Sequence, residues 1–534
     1  MNAIDSKQKS SFRLLFPIYH RSKKDRTIGV SAILIASSHT PFSLDELIIR
    51  IGDISIKPKI YAINTTKYRN RHRCRISFKI NQDETRSLAI HNKIYACKNT
   101  SGELTELGSL MYNALLPKYI AAHGPYLTDE KTGTVMFFRQ TVSKTLTLTA
   151  RHMNVTDTRK AQVMLSAAFL MSHFLPHKRP VILYEKNARK YEESAKAVYE
   201  ALVDKGYTNV FFVIDNNALK KTSVEERYRK KLIYKHTFRH YLYFFRAHTF
   251  IGTEVIAHAL ELRCQNIFAQ RHMKSKKNTF VFLQHGVMLM VSLDSPERKS
   301  FVRKAMKGAV RIVVSSEIEA THFIDLAGYA SNELIVSGLP KFDFSYSNEG
   351  ADKILIMPTW RIWEFNAMRA DPSRTKYTTM INKIKASIPE ELRDKIITLN
   401  HPLFERSTLG IAGAEEPKNL DVLLRDVRVL ITDYSSIAFD AFYRGANVIF
   451  YWEDLADCMR HYGEPTHLMV DKGTVFGDVC MDDIELRERI FRNYNDPQTE
   501  EHMQKYRRLV TYHDGHNTKR VVGTLERELI ICPK

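Results

Sequence analysis

Beyond Pro180 the chain changes rhythm, and this change limits what it can fold into more than any other feature. Short apolar runs begin to alternate with amphipathic stretches: "VILYEK", then "YEESAKAVYEALVDKG" closed by Gly206, then "NVFFVID", a basic helical stretch to Arg246, and "TFIGTE". "NTFVFLQHG", "AVRIVVSSEIEATHFIDLAG" and "ELIVSGLPKFD" continue the series. Strands and helices at such spacing build a parallel, doubly wound sheet. After a polar stretch at 345–351 a second series starts with "KILIMPTWR", a helical pattern near 378–386, "KIITLNHP" and "LITDYSSIAFDAFYRGANVIFY". Two such halves in succession, joined by a hinge, predict a ligand cleft between them.

The part before Pro180 reads differently. Residues 1–27 are polar and basic and read as a poorly ordered arm. Residues 28–155 are β-rich, with "TIGVSAILIASS", "RCRISFKIN" and "KTLTLTARHM" broken by Asn, Asp, Gly and Ser clusters, which predicts a small antiparallel sandwich. Residues 156–177 form a helical connector, so the domains expected are 28–155, 178–346 and 347–534. At 534 residues the chain is too long for one core.

Eighty Lys and Arg against 59 Asp and Glu give a formal charge of +21, which favours an anionic partner: nucleic acid, an anionic membrane surface or a polyanionic substrate. The six cysteines are scattered, with no C-x-x-C pair and no His in zinc spacing, so a reducing cytoplasm is expected and no structural metal. No run approaches the roughly 20 apolar residues that span a bilayer, so the protein is expected to be soluble or peripherally attached. No Walker-type phosphate loop or nucleophile elbow is present.

Four polar clusters stand where predicted strands meet their loops: Gln284-His285-Gly286, Pro358-Thr359-Trp360-Arg361, Asn400-His401-Pro402 and Asp433-Tyr434-Ser435-Ser436. Taken singly, each is an ordinary turn, and Asp433 or Ser435 is as well explained by capping the next helix. Together they have the residue types of a phosphoryl-transfer site. Arg361 and the Ser435/Ser436 helix start can neutralise a diphosphate, while a histidine takes a proton from an attacking hydroxyl.

The ordered series "YEKNARKYEESAKAVYEAL", "LQHG", "VVSSE", "SGLPKFD", "PTWR", "NHP" and "LITDYSSIAFDAFYRGANVIFYWEDL" resembles the CDP-glycerol glycerophosphotransferase family, the teichoic acid primases and polymerases of bacterial cell walls. The resemblance covers roughly residues 178–510. It implies an α/β GT-B fold, two Rossmann-like domains facing a cleft, with the β-rich domain outside the common core. The activity implied is transfer of a polyol phosphate, glycerol phosphate first, from a CDP-activated donor to a hydroxyl acceptor with release of CMP, for a teichoic acid-like or capsular polymer. No cofactor is implied.

Carried onto this chain, the resemblance makes His285 the cleft base or transition-state stabiliser and His401 the second histidine, near the diphosphate. Thr359, Arg361, Ser435, Ser436 and Asp440 fall at donor-site positions, Asp433 shapes the turn, and Asp454 is the acid after the next strand. Gln284 and Gly286 fall on the acceptor side. The chain departs from the commoner H-G-T-P-L-K form, reading His285-Gly286-Val287-Met288-Leu289-Met290, and the family's downstream R-G pair is displaced to Arg460 and Gly463. The partners implied are CDP-glycerol or a related CDP-polyol, a lipid-linked or polymeric acceptor, and the inner face of the cell membrane. Two other readings stand beside this one: a GT-B glycosyltransferase using a nucleotide sugar, and a basic nucleic-acid-binding protein prompted by the cation- and aromatic-rich residues 227–246. No recognised nucleic-acid module accompanies that stretch, so no nucleic acid is expected and a membrane-surface or polyanion contact is preferred there.

Overall fold

Period-two alternation builds the first unit of the protein. Val30, Ala32, Leu34 and Ala36 point into a core while the residues between them face outward, and the strand Thr27–Ser37 pairs along its length with Arg71–Asn81. The computed structural model describes residues 11–37, 44–61, 71–87, 91–98, 104–110, 127–129, 132–140, 145–175, 179–220, 222–298, 301–359, 361–364, 367, 371–399 and 420–532. The chain divides into two compact units, residues 1–167 with 263–272, and 168–262 with 273–534.

The described strands of the first unit form one eleven-stranded sheet, antiparallel except where Ser11–Ser22 runs parallel to Leu104–Leu110. Ile76, Ile49, Phe138 and Leu148, from strands spread across that sheet, share a single core, so the sheet folds over on itself. The basic arm expected at 1–27 is corrected here, because Ser11–Ser22 is a strand. Phe12 and Leu14 are buried while Arg13 and Arg21 are exposed, and the outward cations dominate the composition of a strand whose inward side is apolar. Pro17 sits at the register shift between Leu15 and Ile18, where a missing N–H does no harm. The connector is helical over Arg159–Ser172.

The second unit holds two parallel sheets in succession, the GT-B arrangement. The first runs Leu232–Tyr234, Val210–Ile214, Val181–Tyr184, Thr249–Gly252, Thr279–Phe282, Ala309–Val314, Leu334–Val336 in spatial order. The second runs Ile396–Thr398, Lys353–Ile356, Val427–Thr432, Asn447–Tyr451, Asp478–Cys480. Such strands are covered on both faces, and Val181–Tyr184 and Asn447–Tyr451 are buried at every position. In each sheet the chain starts inside, moves to one edge, then crosses back. The order reverses between Val181–Tyr184 and Thr249–Gly252 in the first sheet, and between Lys353–Ile356 and Val427–Thr432 in the second. Ligands bind at the carboxyl ends of such reversal points.

The end of the chain returns to the first half. Backbone N–H groups of Asn517 and Thr518 donate to the two carboxylate oxygens of Asp343 at 2.9 and 2.7 Å, and Thr511 N–H donates to the Ser315 carbonyl at 3.0 Å. Val521 and Leu525 of the helix Asn517–Arg527 share a core with Val198 and Leu202 of Glu193–Asp204. The last helix expected within a 347–534 domain therefore packs on the first half. The basic stretch expected to be helical to Arg246 is interrupted by the edge strand Leu232–Tyr234, and Lys235 is buried against Glu261. Among the described residues no helix is long and apolar enough to cross a membrane.

Candidate active site

The reversal point of the second sheet carries the D-Y-S-S turn. Asp433 is fully buried at the end of Val427–Thr432 and accepts from the N–H of Thr359 at 2.8 Å and of Tyr434. Arg361 lies beside it with 1% of its surface exposed, donating to Asp433 Oδ2 at 2.7 Å, to both carboxylate oxygens of Asp454 at 3.0 and 2.9 Å, and to the Thr359 carbonyl at 2.6 Å. Tyr434 completes the cluster by donating to Asp454 at 3.0 Å. Burial alone would lower the pKa of Arg361, but Asp433 and Asp454 outweigh it and push the value up. A buried guanidinium between two carboxylates keeps its charge and fixes the turn. Arg361, expected at the donor, is thus engaged with protein groups, and Asp433 and Asp454 belong to the same brace.

That brace presents Ser435 and Ser436, both partly exposed, at the start of the helix Ile437–Tyr443. Ser436 makes no capping bond with its side chain, and Ser435 Oγ accepts only a long 3.4 Å bond from Ile437 N–H among those described. Thr359 Oγ1 is buried with no partner among the described residues. The hydroxyls are therefore not consumed by the fold.

The first half meets this turn through Gln284-His285-Gly286. A Cβ placed on Gly286 would come within 3.0 Å of Ser436 Oγ, so the missing side chain permits the close approach. The side chain of His285 is 40% exposed, and its Nδ1 lies 3.6 Å from Glu254 Oε1. Burial of its inner edge, then the ammonium groups of Lys186 and Lys341, lower its pKa from the usual imidazole value, so the ring is neutral near pH 7. Gln284 turns inward: it is fully buried, at a positive φ of 58°, and donates to the Val313 carbonyl at 2.7 Å. The acceptor side expected of it is left to its neighbours. Val287 to Met290 are buried, and Met288 N–H donates to the buried carboxylate of Glu319 at 2.7 Å, so apolar packing replaces polar residues in this segment.

Lys341 ties the halves together. Its ammonium donates to the His285 carbonyl at 2.8 Å and pairs with Asp440 Oδ1 at 2.5 Å, both side chains being less than a tenth exposed. Asp440 is thereby placed beside the Ser436 turn as the partner of a cation from the other half. His401 lies outside the described residues. Lys341, Glu254, Lys186 and Glu319 belong to the site without having been expected there. Lys341 carried a sequence signal in its place in "SGLPKFD" after an apolar run, as did Lys186 in "VILYEK", whereas Glu254 and Glu319 carried none. Among the described residues no group of three or more His, Cys, Asp or Glu is arranged to hold a metal ion.

The geometry can be set beside known proteins. Residues 131–527 match the model of a family described as CDP-glycerol:poly(glycerophosphate) glycerophosphotransferase. The chain is similar to the minor teichoic acid biosynthesis protein GgaB of Bacillus subtilis (strain 168), at 21% identity over 480 residues, 82% of this chain and 51% of that one. It thus spans about half the length of that curated relative. The structure of the wall teichoic acid polymerase TagF superposes with a TM-score of 0.51 at 15% identity, covering 70% of this chain and 94% of that one. A variant of that polymerase soaked with CDPG gives a TM-score of 0.50 at 13% identity, covering 70% of this chain and 99% of that one. At these identities the likeness speaks for the fold.

Proposed function

Since the chain belongs to the CDP-glycerol:poly(glycerophosphate) glycerophosphotransferase family, we propose that it transfers glycerol phosphate from CDP-glycerol to a hydroxyl of a teichoic acid-like acceptor, releasing CMP. The observation that carries this reading is the approach of the His285-Gly286 loop to Ser436. It brings the backbone next to a neutral imidazole from one half against unconsumed hydroxyls from the other.

The donor diphosphate lies on the Ser435/Ser436 turn, where two hydroxyls at a helix start face its oxygens, with Thr359 at hand and Arg361, Asp433 and Asp454 holding the turn rigid. The acceptor oxygen attacks the phosphorus next to the glycerol unit, in line with the bond to CMP. An O–P bond forms, the bond to CMP breaks, and the acceptor proton passes to His285. His401 is assigned to the diphosphate by resemblance alone. A polymeric or lipid-linked acceptor is anionic, which suits the +21 charge and a place on the inner membrane face.

Incubation with CDP-glycerol, CDP-ribitol and several nucleotide sugars, with and without a polyglycerol phosphate primer, tests the reading. CMP release from CDP-glycerol that rises with primer is expected. Turnover of a nucleotide sugar alone would overturn it in favour of a glycosyltransferase.

A further inference from the structure

The reversal point of the first sheet carries a second cluster of charge. The ring of Tyr184 lies across Gly252, where an added Cβ would stand 2.5 Å from it, and the tyrosine hydroxyl donates to the Glu254 carbonyl at 2.9 Å. Thr253 donates its hydroxyl to the buried carboxylate of Glu185. These contacts fix the backbone that presents Glu254, whose side chain is 9% exposed. Glu254 Oε1 stands 3.6 Å from His285 Nδ1 and 3.6 Å from Lys186 Nζ, while Oε2 lies 3.8 Å from His258 Nε2.

The loop that brings in Lys186 is held in an unfavourable shape. Asn187 and Ala188 follow one another at φ of 57° and 53°, a left-handed pair without glycine. Buried partners keep it there: Lys235 Nζ donates to the Asn187 carbonyl at 2.9 Å, and Asn187 N–H donates to His258 Nδ1 at 3.2 Å. Such a conformation persists only when its surroundings over-determine it, so the backbone following Lys186 is held in place, while the Lys186 side chain itself is 59% exposed beside Glu254.

We propose that Glu254 is the positioning residue for His285, fixing the ring by its Nδ1 edge and stabilising the imidazolium formed when the other nitrogen takes the acceptor proton. This deepens the proposed function and rests on it. The charged groups acting on the ring are Glu254, Lys186, Lys341 and Arg298, with His258 behind the carboxylate. Three of them are cations that oppose protonation, and Glu254 is the carboxylate within ion-pair distance among the described residues. Without it a proton arriving on His285 would meet uncompensated positive charge. At 3.6 Å the contact is longer than a hydrogen bond, as catalytic contacts are before substrate closes the site.

The test uses the full chain with CDP-glycerol and primer. Glu254→Gln should lower kcat by about tenfold or more, a smaller loss than the roughly 10⁴-fold that follows when an orienting carboxylate is hydrogen-bonded to its base. Its KM for CDP-glycerol and its calorimetric donor affinity should stay within about twofold of wild type. Glu254→Asp should recover part of the loss, and Glu254→Ala should recover part on addition of sodium formate, which refills the vacated carboxylate position. A kcat for Glu254→Gln within twofold of wild type overturns the proposal, as does loss of donor affinity in step with kcat. If Glu254→Gln fails to fold, the aspartate variant and formate rescue decide alone, and absence of rescue overturns it. A wild-type chain that releases no CMP from any CDP donor overturns the proposed function itself, which is a different outcome from an active wild type with an indifferent Glu254.

Discussion

Arg361 shows how a residue identity can be legible while its employment is not. A cation one step past a strand looks the same in sequence whether it faces an anionic ligand or a buried acid, and here the two carboxylates that claim it come from positions 72 and 93 residues away. Removing one partner of a buried ion cluster leaves uncompensated charge, so Arg361→Met should cost about 3–5 kcal/mol. Urea denaturation would read that loss. Unchanged stability with weakened donor binding would return Arg361 to the donor. Glu254 and Lys186 were illegible for a related reason: Glu254 is a lone charge in its segment, Lys186 is one of several in "YEKNARK", and only the strand order joins them. Buried histidines give a pH prediction. His240 is fully buried, with Nε2 2.8 Å from the Ala259 carbonyl and Nδ1 accepting from His236 N–H, and burial brings its pKa down to about 3. The pKa of His258 falls to about 4 for the same cause, with Lys186 and Lys235 adding to it. Both folded values lie below the unfolded value of 6.5, so the unfolded chain binds more protons between them. The stability these groups contribute is complete above about pH 6.5 and is lost as pH falls toward 4. Melting temperature should therefore drop between pH 7 and 5, and the drop should be smaller in His240→Asn. An equal drop in both would assign the acid sensitivity elsewhere.

At the scale of elements, the helix Ile437–Tyr443 separates capping from ligand binding. Its first residues lean little on the serine hydroxyls, since Ser436 caps nothing and Ser435 accepts one long bond. Changing Ser435 and Ser436 to Ala should then lower calorimetric affinity for CDP-glycerol with only a small change in melting temperature. A fall of several degrees with donor affinity intact would restore the capping role. The strand-turn-helix unit was readable because a mostly apolar run, a polar turn and a helical period follow one another without interruption. Ser11–Ser22 was not, because alternation hides a strand when its outward residues are basic and Pro17 breaks the pattern at a bulge. The basic stretch near residue 235 failed differently. Three residues of edge strand, Leu232–Tyr234, are too few to show a period, and the strand is recognised only by its pairing with Phe212 to Ile214.

For the whole molecule, two features follow from how charge is distributed after folding. The halves of the second unit are joined by the buried pair of Lys341 with Asp440, so the site sits where a small relative movement of the halves would part Gly286 from Ser436. The surplus of cations, legible as +21, lies partly on the surface and partly inside. Lys235 is buried, Lys231 bonds the Tyr207 carbonyl, and Arg303 pairs with Glu333, so these three serve the fold. Arg229, Lys230, Lys304 and Lys307 are exposed and free of such duties in the bonds described, which makes them the residues that an anionic surface would meet. Each exposed cation near an anionic bilayer contributes about 1 kcal/mol. Changing those four to Glu should sharply reduce co-sedimentation with anionic vesicles at low salt, leave the small binding to neutral vesicles unchanged, and preserve CMP release on a soluble primer. Wild-type binding to anionic vesicles should itself fall across a salt series. Equal sedimentation of both proteins with both vesicle types would remove these segments from any membrane contact, and tight salt-sensitive binding to nucleic acid in place of vesicles would assign the surplus charge to that partner.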